Sequence, residues 1–282
     1  MRGMRWLAGM VLGCALEASA QEGFGKIDPA PPAGHTVDEI IKAFGAKEAV
    51  FADARTNYVF RQDVKFQTID DNTGKVDGEY HQITDIGITK EGKRTENVTY
   101  APQNTIERVI MTEQDFQDIE HRLPFVLTTE DLPDYNITYV GRQKVDELDT
   151  YVFDAEPKVM EKGRRYYKGR VWVDQKDLQI VLISGKSVPD DVRRGHENLS
   201  PPFTTYYAQV DGKYWFPIYT KAEGILHFAS GSNNMAEDVH VRTIVRYSDY
   251  KQFRSTARII YDGQDITDKK QPENQQNSPE KK

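Results

Sequence analysis

The chain has 282 residues, 38% of them hydrophobic and 29% charged, and a net charge of −7. That is length enough for a large core, and far too polar a composition for a protein that crosses a membrane with several helices. The acidic balance also argues against a nucleic-acid binder, which needs a basic field.

Arg2 and Arg5 precede a largely apolar run from Trp6 to Leu16, and the small residues "ASA" at 18–20 precede Gln21. This order predicts an export signal over 1–20, with an apolar run too short to span a bilayer as a helix. Its removal takes away Arg2, Arg5 and Glu17 and moves the net charge from −7 to −8. "VLGC" at 11–14 offers a second reading, cleavage before Cys14 with lipidation of that residue, although it leaves an apolar run of only Trp6 to Leu12. Cys14 is the single cysteine. Cleavage after Ala20 therefore leaves no disulfide, thiolate metal site or cysteine nucleophile. The expected location is the periplasm, or the outer membrane if Cys14 carries a lipid.

Residues 21–35 are rich in Gly and Pro and read as a flexible lead-in. "TVDE" at 36–39 is a capping box, and Val37, Ile40, Ile41, Phe44, Glu48 and Phe51 follow at helical spacing, all apolar except Glu48. An amphipathic helix should end near Ala54. In "YVFRQDVKFQTID" (58–70), Tyr58, Phe60, Val64, Phe66 and Thr68 share one parity, while Arg61, Asp63, Lys65 and Gln67 take the other. That alternation predicts a long half-buried strand.

"DDNTGKVDG" supplies a turn, and "EYHQITDIGIT" (79–89) returns as a second strand. "TENVTYAP" and "TIERVIMT" read as one or two more, and "TEQDFQDIEH" (112–121) as a short helix. From "YNITYVGRQKV" to "VHVRTIVRYSDYKQF" the chain is almost wholly strand, broken by turns such as "DELD", "DQKD" and "DGK". The last fifteen residues contain no apolar side chain and read as disordered. The expected organisation is a mainly β (α+β) domain over 36–265, an antiparallel barrel or strongly curved sheet, followed by a polar tail over 266–282.

Motifs for catalysis are weak. The six histidines are scattered without zinc-ligand spacing, "SGKS" (184–187) has Ile180 where a phosphate-binding loop needs glycine, and no GxSxG occurs. Asp63, Asp85 and Asp154 lie on expected strands and read as solvated faces; a glycosidase-type carboxylate pair needs only spatial proximity. We therefore expect no catalytic residue, metal or cofactor, and no enzymatic activity. "GRRYYKGRVWVDQKDLQIV" (163–181) interleaves Arg164, Arg165, Lys168 and Arg170 with tyrosines. By parity it is a hairpin with Tyr167, Val171 and Val173 on one face and Trp172 on the other, which leaves the basic residues without a role.

An export signal, a capped helix running straight into a long strand, and the hairpin "GRVWVDQKDLQIVLISGK" together resemble the bacterial periplasmic lipoprotein-carrier superfamily. These are LolA/LolB-like proteins, and the chain is similar in particular to outer membrane lipoprotein-sorting proteins. The resemblance covers roughly residues 36–255. It implies an unclosed antiparallel β-barrel with helical lid segments over an apolar cavity that holds acyl chains for outer-membrane lipoprotein sorting. On that reading Ile40, Ile41 and Phe44 belong to the lid, residues 112–133 form a second lid segment, and Phe60, Val64, Phe66, Tyr151, Phe153, Val171 and Val173 face the cavity. No local motif carries over the carriers' lid-locking arginine, and Arg61 falls on the face opposite Phe60 and Val64. The implied partners are an acylated lipoprotein or lipid and a membrane-bound donor or acceptor protein, with the chain a monomer. Two other readings stay open: an envelope sensor or regulatory module of the same fold that binds a protein partner, and an envelope-polymer hydrolase.

Overall fold

The computed structural model describes residues 24–89, 92–109, 127–162, 164–189, 201–228, 237–253, 260–261 and 264–265. Helix α1 (Val37–Ala54) begins at the expected capping box. The Glu39 N–H donates to Thr36 Oγ1 (3.2 Å) and the Thr36 N–H donates to Glu39 Oε2 (2.8 Å). Two of the orphan donors at the helix start are thereby satisfied, a cap worth about 1 kcal/mol. Ile40, Phe44, Gly45, Glu48 and Phe51 form its buried stripe. A 3-10 turn over Arg55–Asn57 then feeds directly into β1.

Ten strands form one antiparallel sheet: β1 (Tyr58–Asp70), β2 (Lys75–Ile88), β3 (Arg94–Tyr100), β4 (Tyr135–Val145), β5 (Leu148–Pro157), β6 (Tyr166–Asp174), β7 (Ile180–Val188), β8 (Phe203–Val210), β9 (Tyr214–Phe228) and β10 (Glu237–Gln252). The spatial order is β3-β2-β1-β10-β9-β8-β7-β6-β5-β4. The meander β4 to β10 thus returns to pair its last strand with the first, and β3 and β4 are left as the two edges. The fold is mainly β, an unclosed antiparallel sheet with one N-terminal helix. Register shifts put an extra residue into β10 against β1, β4 against β5, β7 against β6 and β9 against β8, bulges that bend a sheet and raise its twist. Two short strands, β11 (Ile260–Tyr261) and β12 (Gln264–Asp265), pair with each other.

Residues 24–30, read from sequence as a flexible lead-in, lie along the outer edge of β4. The Gly25 N–H donates to Lys144 O (2.8 Å), and Asp28 and Arg142 exchange two backbone bonds of 2.8 Å. Phe24 meets Trp172 edge-on at 6.0 Å, and Trp172 donates to Gln143 Oε1 (2.7 Å). With Val145, Val152, Val181 and Leu182 these residues make a small apolar core on the outer face of the sheet. That is why the hairpin carries apolar weight on both faces, and it leaves β4 a covered edge.

The segment "TIERV" (105–109), read as a strand, is a strap instead. Arg108 fixes it by donating to Ile69 O (3.1 Å), Asp238 O (3.2 Å) and Asp77 Oδ2 (3.2 Å). Side-chain bonds to strands on both sides of the strap replace a ladder. The helix expected at 112–121, the signal over 1–20 and the polar tail lie outside the described residues.

Candidate ligand-binding face

Strand pairing lays the inner face out in rows. One row runs Val64, Val245, Thr220, Thr205, Ile183, Val171, Phe153 and Tyr139, crossing eight strands from β1 to β4. The next runs Phe66, Thr243, Ala222, Phe203, Gly185, Gly169, Ala155 and Ile137. Paired residues point to the same side, so the observed register places Val64, Phe66, Phe153 and Val171 on one continuous surface. Tyr151 and Val173 pair with each other one row further on.

That surface is packed in two sectors. Tyr151, Phe153, Val171 and Val173 pack with Ile40 and Phe44 of α1 and with Leu127. Ile41 and Leu132 close the margin of the same cluster. Of the segment 112–133, the described end touches α1: the Thr129 N–H donates to Gly45 O (3.2 Å), and a Cβ on Gly45 would lie within 3.0 Å of Leu132. Val64 and Phe66, with Phe60 alongside, pack instead with Val239, Val241, Val245 and Leu226 under Ile106 and Val109 of the strap. Phe44, Phe66, Phe153, Val171 and Val173 leave no surface for water to reach. With α1 seated, the residues expected to line one cavity are thus the walls of two filled compartments.

Buried polar groups separate the sectors. Thr205 of β8 and Thr220 of β9 share a 2.9 Å hydrogen bond where the two sectors meet, while Gln62 and Thr243 are buried on β1 and β10 within the second sector. At the helix, Glu48 is 3% exposed and accepts from the Ile180 N–H at 3.3 Å. Burial pushes its carboxyl up to about 8, against the opposing pull of that N–H and of Arg55. Arg55 and Tyr207 are the charged and titratable groups that act on it; burial holds the Tyr207 hydroxyl well above its ordinary range. Sequence marked Glu48 as the one polar residue on an apolar stripe. Tyr207 carried no such signal, because its place depends on which strand faces the helix end.

Small residues matter in the second row. A Cβ on Gly169 would fall within 3.0 Å of Gly185 Cα and Ser184 O. The Tyr167 ring covers this Gly–Gly pair, and its hydroxyl donates to Arg170 O (2.8 Å).

The outer face engages Arg164, Lys168 and Arg170, three of the four basic residues that the sequence left without a role. Arg170 grips Asp154 with two bonds (2.7 and 3.0 Å), Lys168 pairs with Glu156, and Arg164 pairs with Asp134 (3.2 Å) while its guanidinium lies 4.9 Å over the Tyr166 ring. The other flagged carboxylates are also engaged, Asp85 with Arg61 (2.7 Å) and Asp63 with His81 (2.9 Å). Except for Arg164–Asp134, these are cross-strand pairs on the solvent side, modest individually. Among the described residues no group of three or more His, Cys, Asp or Glu is placed to hold a metal ion, and no helix is long and apolar enough to cross a membrane.

No protein-family model matches the sequence, and no curated protein matches it. Two solved structures are similar. One is a DUF1329 family protein from Desulfovibrio piger ATCC 29098, 14% identical over 77% of this chain and 92% of that one, with a TM-score of 0.35. The other is an outer membrane lipoprotein-sorting protein domain from Vibrio parahaemolyticus, 12% identical over 73% of this chain and 91% of that one, with a TM-score of 0.31. Likeness at this level decides neither activity nor ligand.

Proposed function

We propose that this chain is a periplasmic, non-enzymatic carrier that holds the acyl chains of a lipid or lipoprotein against the inner face of its half-barrel, in the service of outer-membrane lipoprotein sorting. One observation carries the reading: an apolar inner face is roofed by a helix that is joined to the sheet almost entirely through side chains. Apart from its cap at Thr36 and the turn that follows it, where Thr56 Oγ1 donates to Asp53 O (2.7 Å), the described hydrogen bonds of α1 to other elements are those from Ile180 to Glu48 and from Thr129 to Gly45. Lifting the helix would uncover Tyr151, Phe153, Val171 and Val173 together, while every strand kept its ladder. Each acyl methylene that replaces the helix there gains about 0.8 kcal/mol. Ile40, Ile41 and Phe44 then act as the lid, and Phe60, Val64 and Phe66 as the wall of a second compartment beneath the strap. A membrane-bound donor or acceptor would exchange the cargo.

Native mass spectrometry of the full chain purified without detergent tests this. The expected result is a lipid-mass adduct and saturable uptake of a fluorescent acyl probe that competes with it. Lipid-free protein that takes up no probe, even when α1 is weakened by substitution, refutes the carrier reading. Capture of a membrane protein by the same lipid-free material would favour the sensor reading.

A further inference from the structure

We propose that Glu48 makes the seating of α1 proton-dependent: the neutral acid lies down with the helix on the inner face, and its ionisation lifts the helix and opens the apolar compartment beneath.

The stripe that meets the sheet is otherwise Ile40, Phe44, Gly45 and Phe51, so Glu48 is the one ionisable group on it. It is 3% exposed, with one described hydrogen bond, from the Ile180 N–H at 3.3 Å. An ionised carboxylate draws its donors to about 2.7–2.9 Å and seeks several of them. One long bond in an apolar setting suits the protonated acid.

The groups facing Glu48 do not reverse that. Arg55 lies seven residues on, in the 3-10 turn that follows the helix, and Tyr207 rises from β8. Tyr207 stays neutral and Arg55 positive, yet burial still outweighs the attraction of Arg55 and holds the acid's pKa at about 8. A helix that lifts returns Glu48 to water and to its ordinary value of 4.5.

Both ends of α1 permit such a movement. Residues 33–36 before it are exposed, and the helix passes into β1 through a 3-10 turn whose Thr56 and Asn57 are exposed. No ladder bond needs to break. The sign follows from proton binding: between 4.5 and about 8 the seated form holds a proton that the lifted form releases, so rising pH favours lifting. The opening constant should grow roughly 100-fold between about pH 6 and about pH 9.

The use of that opening rests on the carrier reading, but the movement can be measured without it. Hydrogen exchange of the full chain, corrected for the intrinsic pH dependence, compares amides of α1 with those of β5 and β6. In the wild type, protection of α1 should fall roughly 100-fold over this range while the strands hold; in Glu48→Gln and Glu48→Leu it should stay flat. A flat wild type, a Gln variant with the same slope, or strands that lose protection in step with α1 would each overturn the proposal. Acyl-probe uptake separates the two ideas. Helix release without uptake upholds the proton switch and refutes the carrier; uptake without pH-dependent release does the reverse.

Discussion

Phe44→Ala is the sharpest probe of whether α1 is a lid or an ordinary part of the core. Phe44 is fully buried, and its ring lies 5.6 Å from that of Phe153 in the compartment under the helix. Truncating a buried Phe costs about 3–5 kcal/mol, the lost transfer energy plus the cavity left behind. If α1 opens independently, nearly all of that falls on its seating, because the strand ladders are untouched. At about 1.4 kcal/mol per tenfold, α1 amides should then exchange roughly 100-fold to 1,000-fold faster or more. Trp172 packs in the outer-face core, whereas Trp215 also borders the cluster under α1, so Trp172 fluorescence in a Trp215→Phe background should report a urea midpoint shifted far less than the full cost. Acyl-probe affinity should rise, because a larger fraction of molecules is competent to bind. A single transition in which helix and sheet lose the whole 3–5 kcal/mol together, with probe uptake unchanged, would show that the helix is core and not lid.

Two further outcomes test the inner and outer faces. Gly169→Ala sets a methyl within 3.0 Å of backbone atoms of β7 that cannot rotate away, so it should cost about 1–3 kcal/mol or more by urea denaturation; an unmoved midpoint would mean that β6 and β7 do not meet this closely. Glu223 is held to about 2, chiefly by the Arg242 guanidinium (2.8 Å) and then by Lys221 (2.7 Å). A depressed carboxyl contributes stability that is present above its ordinary value and lost as pH falls toward 2. Glu223→Gln should therefore flatten the stability profile below about pH 4.5, by about 1–3 kcal/mol after allowance for its partial exposure. Profiles that overlay would remove Glu223 from the acid response.

Local chemistry determined much of this protein. The "TVDE" box set the helix start, because a cap needs only residues three apart, and period-two alternation set the span of β1 and put Phe60, Val64 and Phe66 on one of its faces, as it put Val171 and Val173 on one face of β6. A strand's two faces are written in its own sequence. What parity cannot give is which strand lies beside which. Pairing of β1 with β10, two strands at opposite ends of the chain, decided that Val64 and Phe66 pack under the strap while Phe153 and Val171 pack under α1. Register likewise decided the fate of the basic residues at 164–170. Arg170 meets Asp154 across a hairpin, and the sequence alone showed only the density of charge. The strap at 105–109 carries β-branched Thr105, Ile106 and Val109 and so reads as a strand, but side-chain bonds from Arg108 hold it in place of a ladder. Glu48 shows the division most clearly. Its place on an apolar stripe was legible at once, but only the tertiary structure set it against Ile180, Tyr207 and Arg55, because burial belongs to the assembled interface and not to the helix.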